Sequence, residues 1–241
     1  MKSITRHIPN TLTCINLAFG FYASILGVSG NYSGAMIAIL VAAVFDFLDG
    51  FAARLLKAYS PMGKELDSLA DIISFGVAPG MMLFSFIDEL LYGLSWNESW
   101  TCKLLLLSAF AIPVFSGLRL AKFNIDTRQT TSFLGLPVPA HAIFWSALIV
   151  TFSSTEAIVD AVPAEALIIA FSVIAIATSL LLVSEISMFS LKISSLRWKE
   201  AKMQYILILS AITLITLFGS LGISATILLY ILLSLFSRKK A

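Results

Sequence analysis

The chain consists mainly of long apolar runs separated by short polar connections. A helix of about 17 to 25 apolar residues can cross a bilayer, and about eight such runs are present. They lie at roughly 9–29, 33–57, 61–87, 102–121, 137–154, 163–183, 203–219 and 222–237. The last two are joined only by 219–222, which must form a tight turn. The pattern predicts an all-α polytopic membrane bundle, with a single domain over 1–241.

Composition and charge agree with a multi-pass membrane protein. The 241 residues are 59% hydrophobic, with a mean hydropathy of +0.94. Of the 16 Lys and Arg residues, Lys103 alone falls on the side opposite the N-terminus. By the positive-inside rule, the N- and C-termini are therefore cytoplasmic, in the cytoplasmic (inner) membrane of the cell. This basic side is expected to attract anionic membrane lipids, and no nucleic-acid partner is expected.

Two features that the sequence does not predict are a disulfide and a cleavable secretory signal. Cys14 and Cys102 fall at opposite ends of the membrane, so they are not expected to form a disulfide. The short stretch before the first apolar run does not have the features of a cleavable secretory signal.

The charged residues inside the apolar runs concentrate in the stretch 46–71. Asp46 and Asp49 are three residues apart and Asp67 and Asp71 are four apart, so each pair lies on one helix face. The dipeptide 60–61, Ser-Pro, is typical of an N-cap and first helical position, so a new helix should begin there. The two helices should run antiparallel, which brings all four carboxylates to a similar depth in the cytoplasmic half of the membrane. The sequence thus predicts an active site between the second and third helices.

Four carboxylates in a small apolar volume repel one another strongly, so they call for cations. Oxygen ligands alone favour Mg²⁺ or Mn²⁺ over zinc, and Asp46, Asp49, Asp67 and Asp71 are enough for two ions with positions left for a substrate phosphate. An ion path lined by Asp side chains is the alternative interpretation. A cation transporter, however, should carry its charges on several separated helices.

The stretch resembles the signature of the CDP-alcohol phosphotransferase family at every fixed position: Asp46-x2-Asp49-Gly50-x2-Ala53-Arg54-x8-Gly63-x3-Asp67-x3-Asp71. The resemblance implies a membrane enzyme that transfers a phosphatidyl-type group from a CDP-linked lipid to an alcohol and releases CMP. It also implies a homodimer, and it gives the last carboxylate, Asp71, the role of general base toward the acceptor hydroxyl.

The same resemblance suggests which residues contact the CDP-lipid: Asn10, Thr13, Asp49, Gly50, Ala53, Arg54 and Gly63. Alternatives remain open at several of these positions. Asn10 could instead cap the first helix, Gly50 and Ala53 could serve helix packing, and Arg54 could simply extend to the membrane interface.

Three blocks, at 66–79, 117–124 and 133–140, resemble the phosphatidylserine synthase branch of that family. The substrates implied are CDP-diacylglycerol and L-serine; glycerol 3-phosphate or inositol as acceptor is the alternative. Arg119 and Lys122 become candidates to bind the serine carboxylate or a lipid phosphate, although positive-inside charge explains them equally well. Within these blocks, Pro79 should kink or interrupt the third helix. His141, at a predicted span boundary, is expected to be an interfacial residue.

Overall fold

The computed structural model describes residues 7–92, 100–125, 133–155, 162–189 and 198–236. Nearly all of these residues are helical. The helices are α1 (Ile8–Val28), α2 (Tyr32–Leu55), α3 (Pro61–Asp71), α4 (Ala78–Tyr92), α5 (Trp100–Leu107), α6 (Ala111–Ile125), α7 (Val138–Ser154), α8 (Ala164–Val183), α9 (Trp198–Phe218) and α10 (Ser220–Phe236). A π-helical segment (Ile72–Val77) joins α3 to α4, and a short 3₁₀ turn (Ser108–Phe110) joins α5 to α6. Two strands, β1 (Phe133–Leu134) and β2 (Ser187–Met188), complete the described elements.

The helices confirm a multi-pass, all-α architecture. Five of them are long and apolar enough to cross a membrane: Ile8–Val28, Tyr32–Leu55, Pro61–Tyr92, Trp100–Ile125 and Ala164–Val183. The other three predicted spans correspond to shorter apolar helices, Val138–Ser154, Lys202–Phe218 and Ser220–Phe236. Thus each of the eight predicted runs is helical, and five have the full spanning length within the part of the chain that the structure describes.

The tight turn predicted between the last two spans is present. Gly219 separates α9 from α10 with a φ of 57°, a conformation that glycine adopts without steric cost. Three residues on, Gly222 packs so closely against the backbone of Leu214 that a Cβ would overlap it. The hairpin is fixed to α7 by Ser224, whose Oγ donates to the Phe144 carbonyl at 3.0 Å.

Small residues set the position of α1 against the third span. Gly20 lies so close to Ser74 that a Cβ at this glycine would overlap it. Ser74 is fully buried, and its hydroxyl donates to the Asn16 carbonyl at 3.0 Å. Close approach through small residues is a common way to pack helices in membranes. The contact holds the first half of α1, including Thr13 and Asn16, beside α2 and α3.

Pro79 does not end the third span; instead, the helix widens before it. The backbone is π-helical over Ile72–Val77, and the Ala78 N–H bonds to the Ile73 carbonyl, five residues back. A proline has no N–H, and its ring collides with the carbonyl four residues earlier. A π turn relieves that collision and lets the helix continue. The span therefore runs from Pro61 to Tyr92, beyond the predicted limit of 87.

A small backbone clip connects the segment before α7 to the end of α8. Strands β1 and β2 pair antiparallel, with Phe133 opposite Met188. The Gly135 N–H donates to the Ile186 carbonyl at 2.9 Å, and the Leu136 N–H to the Leu181 carbonyl at 3.1 Å. With a φ of 75°, Gly135 is the residue that allows this turn. The clip places the first turn of α7 against the last turns of α8.

Candidate active site

The two helices that carry the Asp pairs meet as predicted. Ser60 caps α3, since its hydroxyl accepts the Gly63 N–H at 3.0 Å, and Pro61 occupies the first turn. Before the cap, Lys57 adopts a φ of 50°, and the Ala58 N–H bonds to the Ala53 carbonyl at 3.0 Å. These local bonds end α2 and start α3 within five residues. The chain reverses, and the acidic faces of both helices share one site.

Three of the four predicted carboxylates form a cluster. Oxygens of Asp46, Asp49 and Asp67 all lie within 4.8 Å of one another. Asp49 is buried and accepts a hydrogen bond from Thr13 Oγ1 at 2.5 Å, which connects α1 to the cluster. One buried oxygen, Asp67 Oδ1, has no hydrogen-bond partner among the described residues. A group of carboxylate oxygens with an unsatisfied buried member fits a hard divalent cation such as Mg²⁺.

Asp71 lies outside this three-carboxylate group, one helical turn beyond Asp67. It is buried, and Asn16 Nδ2 donates to its Oδ1 at 3.4 Å. Asp46, Asp49 and Asp67 remain close enough to interact with it electrostatically. The fourth carboxylate therefore borders the cluster and is held separately, by α1. Sequence reasoning did not identify Asn16, whose Oδ1 is itself buried without a hydrogen-bond partner in the described residues.

A cavity of about 510 Å³ opens beside the cluster, between α1, α2 and α3. All predicted CDP-lipid contacts except Arg54 line it: Asn10, Thr13, Asp49, Gly50, Ala53 and Gly63. Tyr59, Lys64 and Asp67 also line the cavity. Its volume falls within the range of small-molecule sites. The small residues that the pattern singled out thus border open space beside the carboxylates.

Asn10 does not cap α1. The helix begins at Ile8 with His7 at the N-cap position, so Asn10 lies inside the first turn and its side chain reaches the cavity. A Cβ added at Gly63 would lie 3.0 Å from Asn10 Oδ1. The amide thus lies close to the Gly63 backbone, and a larger residue at this position would require the Asn10 and Ser60 side chains to shift.

Arg54 lies outside the cavity lining, yet its side chain turns back toward it. Its Nη1 is 3.6 Å from the position that a Cβ on Gly50 would take. Arg54 is exposed, as expected for a side chain that can reach either the interface or a bound anion.

Arg119 and Lys122, the candidates to bind the serine carboxylate or a lipid phosphate, have different surroundings. Arg119 is only 8% exposed, its Nε is buried without a hydrogen-bond partner in the described ranges, and Asp71 is close enough to interact with it electrostatically. Lys122 is half-exposed; its Nζ lies 3.6 Å from Glu185 Oε1 and 3.4 Å from the Val183 carbonyl. Arg119 thus borders the site, whereas Lys122 connects α6 to the end of α8.

His141 is not interfacial. It is fully buried in the first turn of α7, with Nε2 3.0 Å from Thr178 Oγ1 and accepting from Trp145 Nε1 at 3.0 Å. The expectation was wrong because the clip between β1 and β2 brings α8 against this turn. As expected, Cys14 and Cys102 form no disulfide in the described part of the chain.

Comparison with known families agrees with this site. The family model described as CDP-alcohol phosphatidyltransferase matches residues 6–177, more than half of the chain. The chain belongs to the CDP-alcohol phosphatidyltransferase family. The match includes the carboxylate cluster, the cavity and Arg119, and it stops within α8.

Named members of the family are similar to this chain over about the same region. A CDP-diacylglycerol–serine O-phosphatidyltransferase of Bacillus subtilis is 38% identical over 133 residues, which cover 55% of this chain and 70% of that protein. An archaetidylserine synthase of Methanothermobacter thermautotrophicus is 34% identical over 154 residues, covering 62% of this chain and 61% of that protein. A CDP-diacylglycerol–serine O-phosphatidyltransferase of Helicobacter pylori is 33% identical over 137 residues, covering 56% of this chain and 54% of that protein. The chain therefore spans less than two thirds of two of these three relatives.

Proposed function

We propose that this protein transfers the phosphatidyl group of CDP-diacylglycerol to the hydroxyl of L-serine, giving phosphatidylserine and CMP. The observation that carries the proposal is the cavity whose wall holds Asp49, Asp67 and the small residues of the family signature. The names of its relatives support serine as the acceptor, because diacyl and archaetidyl products both carry a seryl head group. Those names differ in the lipid, so the lipid portion of the CDP-linked donor has to be tested as well as the alcohol acceptor.

Divalent cations are the expected cofactors, and Asp46, Asp49 and Asp67 would hold them, with Asp71 as a further ligand in a two-ion arrangement. Bound Mg²⁺ or Mn²⁺ would neutralise the diphosphate and the charge that develops on transferred and leaving oxygens. The donor set supports this role because it contains only carboxylate oxygens and includes the unpartnered Asp67 Oδ1. Thr13 orients Asp49 through its 2.5 Å hydrogen bond, which leaves the other carboxylate oxygen for a ligand.

The CDP portion would occupy the cavity. Gly50 and Ala53 leave room for it along α2, and Asn10 and Gly63 form the opposite wall. Arg54, at the next turn of α2, can swing to a diphosphate oxygen, for which its planar donor group is well suited. The cavity thus orients the nucleotide so that the reacting phosphorus faces the carboxylates.

The acceptor would approach from the side of Asp71 and Arg119. Asp71 takes the proton from the serine hydroxyl as its oxygen attacks phosphorus; the bond to the CMP oxygen breaks, and CMP leaves. Arg119 binds the serine carboxylate, since a buried guanidinium beside the base offers the matching charge and donor geometry. Lys122 remains the second candidate to bind the serine carboxylate or a lipid phosphate. Glu185 would compete with either anion for its ammonium group.

The active site would face the cytoplasm. The positive-inside rule supports this orientation, since Arg54, Lys57, Lys64 and Lys122 lie in or next to the terminal turns of helices on the side where the cavity opens. Water-soluble serine and membrane-embedded CDP-lipid can both reach a site at this depth. The homodimer likewise remains a prediction.

One experiment tests the whole assignment. Detergent-purified protein is incubated with CDP-diacylglycerol or its archaetidyl counterpart and, separately, with L-serine, glycerol 3-phosphate or inositol; the lipid product is identified by mass spectrometry. We expect phosphatidylserine and CMP with Mg²⁺ or Mn²⁺, and no product in EDTA. Product from another alcohol only, or full activity in the chelator, would contradict the proposal.

A further inference from the structure

The wall of the nucleotide cavity carries a basic side chain that the family signature does not include. Lys64 lines the cavity, and among the described lining residues it alone is basic. It occupies one of the variable positions between the signature residues Gly63 and Asp67. Arg54, the basic residue of the signature, lies outside that lining. The cavity wall therefore has a positive charge whose role the signature leaves open.

Hydrogen bonds between α3 and α6 hold the Lys64 side chain. Its Nζ donates to the backbone carbonyl of Asn124, in the last turn of α6, at 3.1 Å. The Asn124 side chain in turn donates from Nδ2 to Ser68 Oγ at 2.8 Å. Ser68 lies one turn beyond Lys64 on α3, and its hydroxyl donates to the Lys64 carbonyl at 3.3 Å. These three residues form a closed set of contacts, so the lysine side chain has a defined position on the cavity wall.

No carboxylate of the described residues neutralises this lysine. Asp67 is three residues further along α3, a spacing at which ion pairs form readily on one helix face. Within the described ranges, however, Lys64 forms no ion pair with Asp67 or with any other carboxylate. The buried Asp67 Oδ1 accordingly has no hydrogen-bond partner there. The lysine leaves the carboxylate cluster free for cations, and its own charge is left for an anion.

The place of Lys64 in α3 adds to the positive charge. It ends the first turn of the helix, where unpaired backbone N–H groups carry a partial positive charge. A lysine is unfavourable at this end of a helix, and no acidic residue in the first turn offsets it. Ser60, Pro61 and Gly63 line the cavity as well, so the helix terminus and the lysine border the same space.

We propose that Lys64 is a further binding residue for the CDP portion: its ammonium group binds the phosphate of the CMP half. The inference rests on the proposed function, in that the cavity holds the nucleotide. The three-carboxylate cluster would meet the diphosphate from one side, and Lys64 would meet it from the first turn of α3. A lysine suits this task because its flexible stem lets the ammonium group exchange the Asn124 carbonyl for a phosphate oxygen.

The test measures binding of CMP to the detergent-purified protein in Mg²⁺, by isothermal titration calorimetry. The variants are Lys64→Met, which keeps an apolar stem without the charge, and Lys64→Arg, which keeps the charge. Lys57→Met is the matched control, because Lys57 is an exposed lysine on the connection before α3 that does not line the cavity. Cytidine, which lacks the phosphate, is compared with CMP by ligand-observed NMR, which detects weak binding.

For Lys64→Met we expect CMP affinity to fall about five- to tenfold, since an exposed ammonium group contributes less than a buried hydrogen bond to a charged group. The loss should shrink at high salt, because screening weakens interactions between exposed charges. Cytidine affinity should stay unchanged. Lys64→Arg should retain most of the CMP affinity, and Lys57→Met should bind CMP like the wild type.

Unchanged CMP affinity in Lys64→Met, or an equal loss in Lys57→Met, would overturn the inference and leave Lys64 as an interfacial lysine that follows the positive-inside rule. An equal loss of cytidine affinity would also overturn it, because the contact would then be to the base or the ribose. If the wild type binds CMP but makes no lipid from L-serine, the proposed acceptor fails while this inference stands. If the wild type does not bind CMP, both fail.

Discussion

Replacing Asp67 by Asn should stabilise the metal-free protein while abolishing transfer. The reason is the proximity of three carboxylates, whose oxygens lie within 4.8 Å of one another in a largely apolar setting. Asn keeps the shape of Asp67 but removes one charge, so the repulsion from Asp46 and Asp49 falls. The same change removes a ligand, so the variant should lose the cations that the reaction needs.

The size of the effect follows from this distance. Two unit charges 4.8 Å apart repel by about 3.5 kcal/mol at an effective dielectric constant of about 20. Asp67 faces two such charges, but proton uptake by one carboxyl removes much of the repulsion in the wild type. We therefore expect a net gain of about 1 to 3 kcal/mol in the free energy of unfolding, or about 2 to 10 °C in Tm.

The assay is thermal unfolding in detergent, with EDTA and with Mg²⁺, for wild type, Asp67→Asn and Asp88→Asn. Asp88 is exposed on the far part of α4, so its substitution controls for loss of one carboxylate elsewhere. Wild type should gain stability on adding Mg²⁺; Asp67→Asn should start higher in EDTA and gain less. A lower Tm for Asp67→Asn in EDTA, or an undiminished gain with Mg²⁺, would refute the reasoning.

Three further predictions concern the cavity and the base. Thr13→Val should weaken CDP-lipid binding about tenfold or more, because Asp49 loses a hydrogen bond to a charged group; Thr13→Ser is the control in the same binding assay. Gly63→Val should reduce nucleotide affinity, since its Cβ would lie 3.0 Å from Asn10 Oδ1; unchanged affinity with a lower Tm would indicate a packing role. Asp71→Asn should bind CDP-lipid in Mg²⁺ yet turn over about 10²- to 10⁴-fold more slowly; an affinity loss equal to that of Asp49→Asn would make Asp71 mainly a ligand.

Local periodicity was enough to predict much of the site. The spacing of Asp46 from Asp49 assigns both to one helix face, and Ser60 with Pro61 marks the start of the next helix. Convergence of all four carboxylates was only partly correct. Asp67 and Asp71 are one turn apart, about 6 Å along the helix axis, so Asp71 lies beyond the three-carboxylate group.

Only the tertiary structure decided which distant side chains complete the site. Asn16 reaches Asp71 because Gly20 lets α1 approach the third span, a contact that depends on the rotation and offset of two helices. Thr13 reaches Asp49 of the neighbouring helix α2, a residue 36 positions later in the chain. The helical repeat determines which residues of one helix share a face, and it carries no information about a second helix. The register between helices is set by close packing of side chains far apart in sequence, which no local pattern records.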